Sequence, residues 1–164
     1  MKRLYAPWRD GYTKTQNNST PSCPFCVQLQ DNNNEKNFIL KRFEHTYILL
    51  NLYPYNAGHI LVLPLEHEAD LSKLSKETRI ELMEISNASL AVLKNILNPE
   101  GFNIGFNIGK FAGGSVPTHL HQHIIPRWSG DTGFLSAICD TRAISVDLKK
   151  IYLQLLPAFT AMTL

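Results

Sequence analysis

Three histidines stand at alternate positions in His119-Leu120-His121-Gln122-His123-Ile124-Ile125. In an extended chain successive side chains alternate faces and rise about 3.3 Å per residue, which puts the three imidazoles on one face about 6.6 Å apart. A single histidine on a strand is usually a packed or solvated residue with its hydrogen bonds met. Three on one face are hard to hide. At that spacing imidazoles can ligate a metal, as three-histidine zinc sites do, or one ring can act as a nucleophile while its neighbours orient it and bind anions.

The segment just upstream bears on that choice. Asn107-Ile108-Gly109-Lys110-Phe111-Ala112-Gly113-Gly114-Ser115 can present backbone N–H groups and a cation, as phosphate-binding loops do. By itself such a loop is equally an ordinary turn; beside the histidines it favours phosphate chemistry. Lys110, Arg127 and Arg9 are candidate phosphate contacts, since fixed cations stabilise developing charge. Each is more often a solvated surface charge. Trp8 and Tyr53 could stack on a base or pack in the core. A second chemical feature is Cys23-Pro24-Phe25-Cys26. With three cysteines in all, the pair fits metal or redox chemistry better than a disulfide framework. Free buried thiols are a further reading, and a redox pair lacks a βαβ context. Cys139 has no partner in the sequence and is expected in the core.

The elements that must position these residues follow from pattern. Phe38 to Arg42 and Tyr47 to Leu52 are β-rich runs separated by a short turn, and His59 to Leu63 is a third strand after the turn residues Pro54, Asn56 and Gly58. A short helix is expected after Cys26. Beyond Ser75, Ile85, Ala88, Val92 and Ile96 recur at helical spacing, with Leu82, Leu93 and Leu97 widening the apolar face until Asn98 and Pro99 end it. That width suits a core helix and also contact with a second subunit. Phe102 to Asn107 reads as a fourth strand and His119 to Ile125 as a fifth. Ser145 can cap a last helix with Asp147 in its first turn and Leu148, Ile151, Tyr152 and Leu155 on one face. Hairpin-linked strands with helices grouped apart predict an α+β fold, a five-stranded antiparallel sheet with flanking helices.

Length and composition agree with one domain. The 164 residues are 44% hydrophobic and 18% charged, with 16 basic against 14 acidic side chains for a net charge of +2. That argues against a disordered chain or a basic nucleic-acid coat. Apolar stretches such as Ile60 to Leu65 fall far short of the roughly 18 residues a membrane span needs. No secretory pattern follows Lys2 and Arg3, so a cytoplasmic protein is expected, with neither nucleic acid nor membrane as partner. The single domain, 1–164, divides into an arm (1–37), a catalytic core (38–130) and a C-terminal extension (131–164).

These residues resemble the histidine triad (HIT) family, whose signature is His-x-His-x-His followed by two apolar residues. Leu4 to Arg9, Cys23 to Cys26, Asn51 to His59, Val116 to Trp128, Gly130 to Thr132 and Thr141-Arg142 resemble its branch of bacterial diadenosine tetraphosphate phosphorylases. The resemblance implies an HIT-like fold paired into a homodimer, acting on nucleotides or dinucleoside polyphosphates as transferase or hydrolase. A nucleoside phosphoramidase or a non-catalytic nucleotide-binding module are the alternatives it leaves. It implies His121 as the nucleophile that forms a nucleotidyl-imidazole intermediate, with His119, His123 and Ser115 completing the catalytic group. Asn51, His59, Asn107, Gly114 and Lys110 would bind substrate. Cys23, Cys26, His67 and His119 match a structural zinc site found in some bacterial members. Gln122 stands where the family usually has an apolar residue and is expected to face away from the histidines.

Overall fold

A computed structural model describes residues 23–113, 115–131 and 147–164, with the backbone alone at Lys110. Helix α1 (Pro24–Gln30) precedes a meander of β1 (Ile39–Arg42), β2 (Thr46–Leu50) and β3 (Ile60–Pro64). Helix α2 (Lys76–Leu97) then leads to β4 (Gly101–Phe106), β5 (Gln122–Arg127) and helix α3 (Leu148–Ala161). The five strands form one antiparallel sheet in the order β1-β2-β3-β5-β4, so β5 is inserted beside β3 and β4 is an edge. The α+β fold expected from the sequence is the one observed. No helix among the described residues is long and apolar enough to cross a membrane.

Strand alternation sorts the core into two faces. Ile48, Leu50, Ile60, Val62 and Ile124 pack beneath α2 and α3, against Leu82, Ile85, Leu93, Tyr152, Leu155 and Phe159. The opposite face carries Tyr47, Leu49, Leu61 and Leu63, packed by Phe25 and Leu29 of α1. Directly paired residues in an antiparallel ladder point to the same side. Because Leu61 pairs with His123 and Val62 with Gln122, His123 lies on the α1 face and Gln122 on the helix face. There Gln122 hydrogen-bonds Ser86 of α2, as expected for a residue turned away from the triad.

Ser75 caps α2 by accepting from the Thr78 N–H, and Asn98 ends it with φ 47°. Its buried stripe is Leu82, Ile85, Ser86, Ser89 and Leu93; Ala88, Val92 and Ile96 are only half-buried. Two helix boundaries depart from expectation. Helix α1 begins at Pro24 and so contains Cys26, proline being well suited to a first helical turn that needs no N–H. Helix α3 is capped by Asp147, whose carboxylate accepts from the Lys150 N–H, while Ser145 lies outside the described residues.

The fifth strand begins at Gln122, three residues later than the histidine alternation predicts. Strand β3 ends at Pro64, which has no N–H to extend the ladder, and the Leu120 N–H instead donates to the Glu68 carbonyl at 2.7 Å. His119 and His121 therefore sit in a lead-in anchored to the 64–68 loop. On the other flank, Gly58 has φ +70°, and a Cβ there would stand 2.3 Å from Leu97 Cδ1. Only glycine allows both the turn and this approach of α2, and the turn delivers His59 to the sheet.

Candidate active site and metal cluster

The His121 ring is held by its own chain. Its Nδ1 lies 2.8 Å from the His119 carbonyl oxygen. A carbonyl only accepts, so Nδ1 carries the hydrogen and a neutral ring keeps its lone pair on Nε2. Burial lowers the pKa of His121 below the ordinary value, against the opposing effect of this hydrogen bond, and favours that neutral form.

A second chain of bonds fixes His59 and His123. The Tyr55 backbone N–H donates to His59 Nδ1 at 3.0 Å, so the proton of His59 is on Nε2. That Nε2 lies 2.9 Å from His123 Nδ1 and donates to it, which leaves the His123 proton on Nε2. The Asn107 amide nitrogen Nδ2 lies 3.4 Å from this Nε2; two donors do not pair, so with the proton on Nε2 the amide turns its oxygen to the ring. The His121 and His123 rings meet edge-on at 5.0 Å between centroids. A free ring lone pair and an N–H donor thus belong to adjoining rings. Across the ladder from His123 stands Gly105 of β4, whose Cβ position has nothing within 4 Å, so the flank of the ring is open.

Burial, then the neighbouring imidazoles His123 and His121, push His59 down to about 3. Burial and the His121 ring bring His123 to about 4. Asn51 turns its amide nitrogen toward His59 Nδ1 at 3.3 Å while its oxygen accepts from the Tyr53 N–H at 2.9 Å, so here it braces the loop.

His119 takes a different direction from the other two triad rings. Its Nε2 donates to the Pro64 carbonyl at 3.0 Å, and its Nδ1 is 3.4 Å from Cys23 Sγ and 3.6 Å from Cys26 Sγ. Cys26 Sγ also lies 3.3 Å from His67 Nδ1. One ligand-type atom from each of Cys23, Cys26, His67 and His119 lies within 4.8 Å of the others. Burial, then the hydrogen bond and charge of Cys23, push the Cys26 thiol up to about 11, so two thiolates there call for a cation between them. The His119 lone pair is aimed at the sulfurs by the Pro64 bond, the support that metal-ligating histidines usually have. The donor set fits a tetrahedral zinc.

The remaining candidates divide. Arg127 is bonded to Asp131 at 2.6 Å and to Asn103, so its charge is already paired at the sheet edge. Ser115 is exposed, and Lys110 lies on a short 3₁₀ turn flanked by Gly109 and Gly113, both with positive φ. Gly114, Arg9, Trp8 and Cys139 lie outside the described residues. Two residues escaped the sequence reading: Phe25, against the rings of His119 and His121, and Tyr55, stacked near His59 and His123. Phe25 lies between Cys23 and Cys26, and Tyr55 between Asn51 and His59.

A family model described as the HIT domain matches residues 32–130. The chain belongs to the HIT family. An AP-4-A phosphorylase of Mycobacterium tuberculosis is 37% identical over 151 residues, covering 88% of this chain and 77% of its own length. An adenosine 5'-monophosphoramidase of Candida albicans is 29% identical over 119 residues, 70% of this chain and 76% of its own. A solved Zn-bound histidine triad family protein from Mycobacterium smegmatis superposes with a TM-score of 0.68 at 27% identity, covering 85% of this chain and 94% of that one. HIT membership carries the enzyme class implied by the sequence, the nucleotide phosphorylases and hydrolases.

The two depressed histidines bear on stability. Their folded pKa values, about 3 and 4, lie below the ordinary 6.5, so between these limits the unfolded chain binds more protons than the folded one. Their contribution is whole above pH 6.5 and is lost on acidification, by up to about 1.4 kcal/mol per pH unit for each ring. Denaturant unfolding at pH 7, 6 and 5 should show stability falling, with a shallower slope in His59→Asn. A flat profile would contradict this account.

Proposed function

We propose that this HIT enzyme cleaves dinucleoside polyphosphates, with diadenosine tetraphosphate as the reference substrate, through a nucleotidyl intermediate on His121. The observation that carries the reading is the hydrogen bond from His121 Nδ1 to the His119 carbonyl, which leaves Nε2 free to attack. Nε2 forms a bond to an α-phosphorus while the bond to the bridging oxygen breaks, and the leaving nucleotide departs with that electron pair. A phosphate oxygen, or a water that gives up a proton to solvent, then attacks the same phosphorus; the N–P bond breaks and Nε2 recovers its lone pair. The His123 Nε2–H is set to donate to a phosphoryl oxygen as charge develops there. Asn51 would meet the ribose, and Asn107, Gly114, Lys110 and Ser115 the phosphates, with Ser115 able to relay a proton.

Support for an anhydride substrate comes from His119. Both its nitrogens are committed, one to Pro64 and one toward the thiols, so it has no proton for a leaving group. A nucleotide leaves as a stabilised phosphate anion, whereas an amine leaving from a phosphoramidate needs a proton. Incubation with diadenosine tetraphosphate should give ADP and ATP with inorganic phosphate present, or AMP and ATP if water is the acceptor. His121→Ala should lower turnover by about a thousandfold or more, and brief incubation of the wild type should leave a nucleotide mass on His121. Full activity in the variant would remove His121 as nucleophile.

We also assign a structural zinc to Cys23, Cys26, His67 and His119. When bound, the ion would hold two thiolates and two neutral imidazoles in a closed site that ties α1 to the sheet. Elemental analysis should find about one zinc per chain. The paired change Cys23→Ser and Cys26→Ser should abolish it and lower stability by roughly 2.7 kcal/mol when metal stands at a hundred times its dissociation constant. Thiols kept for metal suit the reducing cytoplasm.

The partner at the β4 edge is proposed to be a second copy of the chain. Among the described residues strand β4 is at the edge of the sheet, with no further strand beside it, and Ile104 and Ile108 are 45% and 51% exposed there. Sedimentation should report twice the chain mass, falling to one chain in Ile104→Glu; a wild-type monomer would end this assignment.

A further inference from the structure

Phe25 stands between the two cysteines, and neither the nucleophile nor the metal assignment gives it a task. Its ring lies 5.2 Å from the His121 centroid, tilted by 53°, and 5.6 Å from that of His119 in an edge-on contact. Its carbonyl accepts from the buried Tyr47 hydroxyl at 3.3 Å, and its side chain packs on the cluster of Ile39, Tyr47, Leu49, Leu61 and Leu63. The residue is therefore fixed from three directions: core contact at its ring, a hydrogen bond at its carbonyl and a candidate ligand on either side.

The His121 ring has less to hold it. One edge is tied by the bond to the His119 carbonyl, and the His123 ring meets it at 5.0 Å. A single hydrogen bond restrains one ring atom but leaves the imidazole able to rock about it. An aromatic ring packed alongside limits that motion and keeps Nε2 in line with an approaching phosphorus.

We propose that Phe25 is a positioning residue for His121, through which the Cys23, Cys26, His67 and His119 cluster sets the orientation of the nucleophilic ring. This rests on the reading of His121 as nucleophile. Metal at the cluster would clamp Cys26 and Cys23 and with them the intervening ring, while the same cluster holds the side chain of His119, the residue whose main-chain carbonyl fixes the His121 tautomer. Two routes, one by packing and one by the backbone, run from the cluster to one imidazole.

The test compares zinc-loaded wild type with Phe25→Leu and Phe25→Met, which keep apolar bulk and remove the ring. Metal content and substrate affinity should stay at wild-type values. The single-turnover rate of adduct formation with diadenosine tetraphosphate should fall about tenfold or more, and the ¹⁵N signals of the His121 ring should shift or broaden. Chelating zinc from the wild type should change those same signals, which tests the coupling without any substitution. Folded, metal-loaded variants with wild-type rate and spectrum would overturn the proposal, as would a wild-type spectrum indifferent to the metal. If the wild type forms no adduct at all, the nucleophile reading fails, and the ring spectra still decide whether Phe25 holds His121.

Discussion

A carbonyl oxygen can only accept, and the one on His119 therefore decides which nitrogen of His121 keeps its proton. Two further backbone groups do the same for the other rings: the Tyr55 N–H for His59 and His123, and the Pro64 carbonyl for His119. Four imidazoles are thus set in their tautomers by three main-chain groups. Main-chain groups do not titrate in this range, so the arrangement changes only when the rings themselves take up protons. The geometry of the turns then matters more than the identity of neighbouring side chains. Gly58, which allows the loop to bring the Tyr55 N–H onto His59, is part of that geometry.

The sheet keeps chemistry and packing apart by alternation. Gln122 and Ile124 go under α2 with Val62 and Ile60, while His123 goes to the face that carries Leu61. A slip of one residue in the β3–β5 register would exchange these sets, burying His123 beneath α2 and turning the Gln122 amide to the α1 face. The buried Ser86–Gln122 hydrogen bond opposes such a slip, because it would leave both polar groups unpaired under the helix. A polar residue where the family usually has an apolar one thus has a partner in the α2 of this chain.

Much of this was legible in the sequence. The helix bounded by Ser75 and Asn98 and the hairpin pattern depend on local periodicity, and local periodicity is what the structure displays; of the three alternating histidines only His123 lies in a strand, and His119 turns away from the other two. The later start of β5 was not legible from the histidines, because it is decided by Pro64 at the end of a strand 58 positions before Gln122. The metal cluster joins Cys23 to His119 across 96 residues, a pairing no local pattern contains; resemblance to relatives supplied it. Tautomers and the place of Phe25 were beyond reach for a different reason. Both depend on ångström-scale contacts between segments whose relative position is set only when the sheet forms.

The depressed basicity of His59 and His123 bears on how such a site handles a polyanion. A protonated histidine would form an ion pair with substrate, product and transition state alike, and binding all three equally does not speed the chemical step. A neutral ring whose Nε2–H is already aimed interacts modestly with the ground-state phosphate and more strongly as negative charge builds on the oxygen during transfer. Burial of these rings, which costs stability in acid, therefore gives the proposed reaction a preference for the transition state and an easier release of nucleotide. The same burial favours the unprotonated form of His121, so the proposed donor and the proposed nucleophile are maintained by one physical cause.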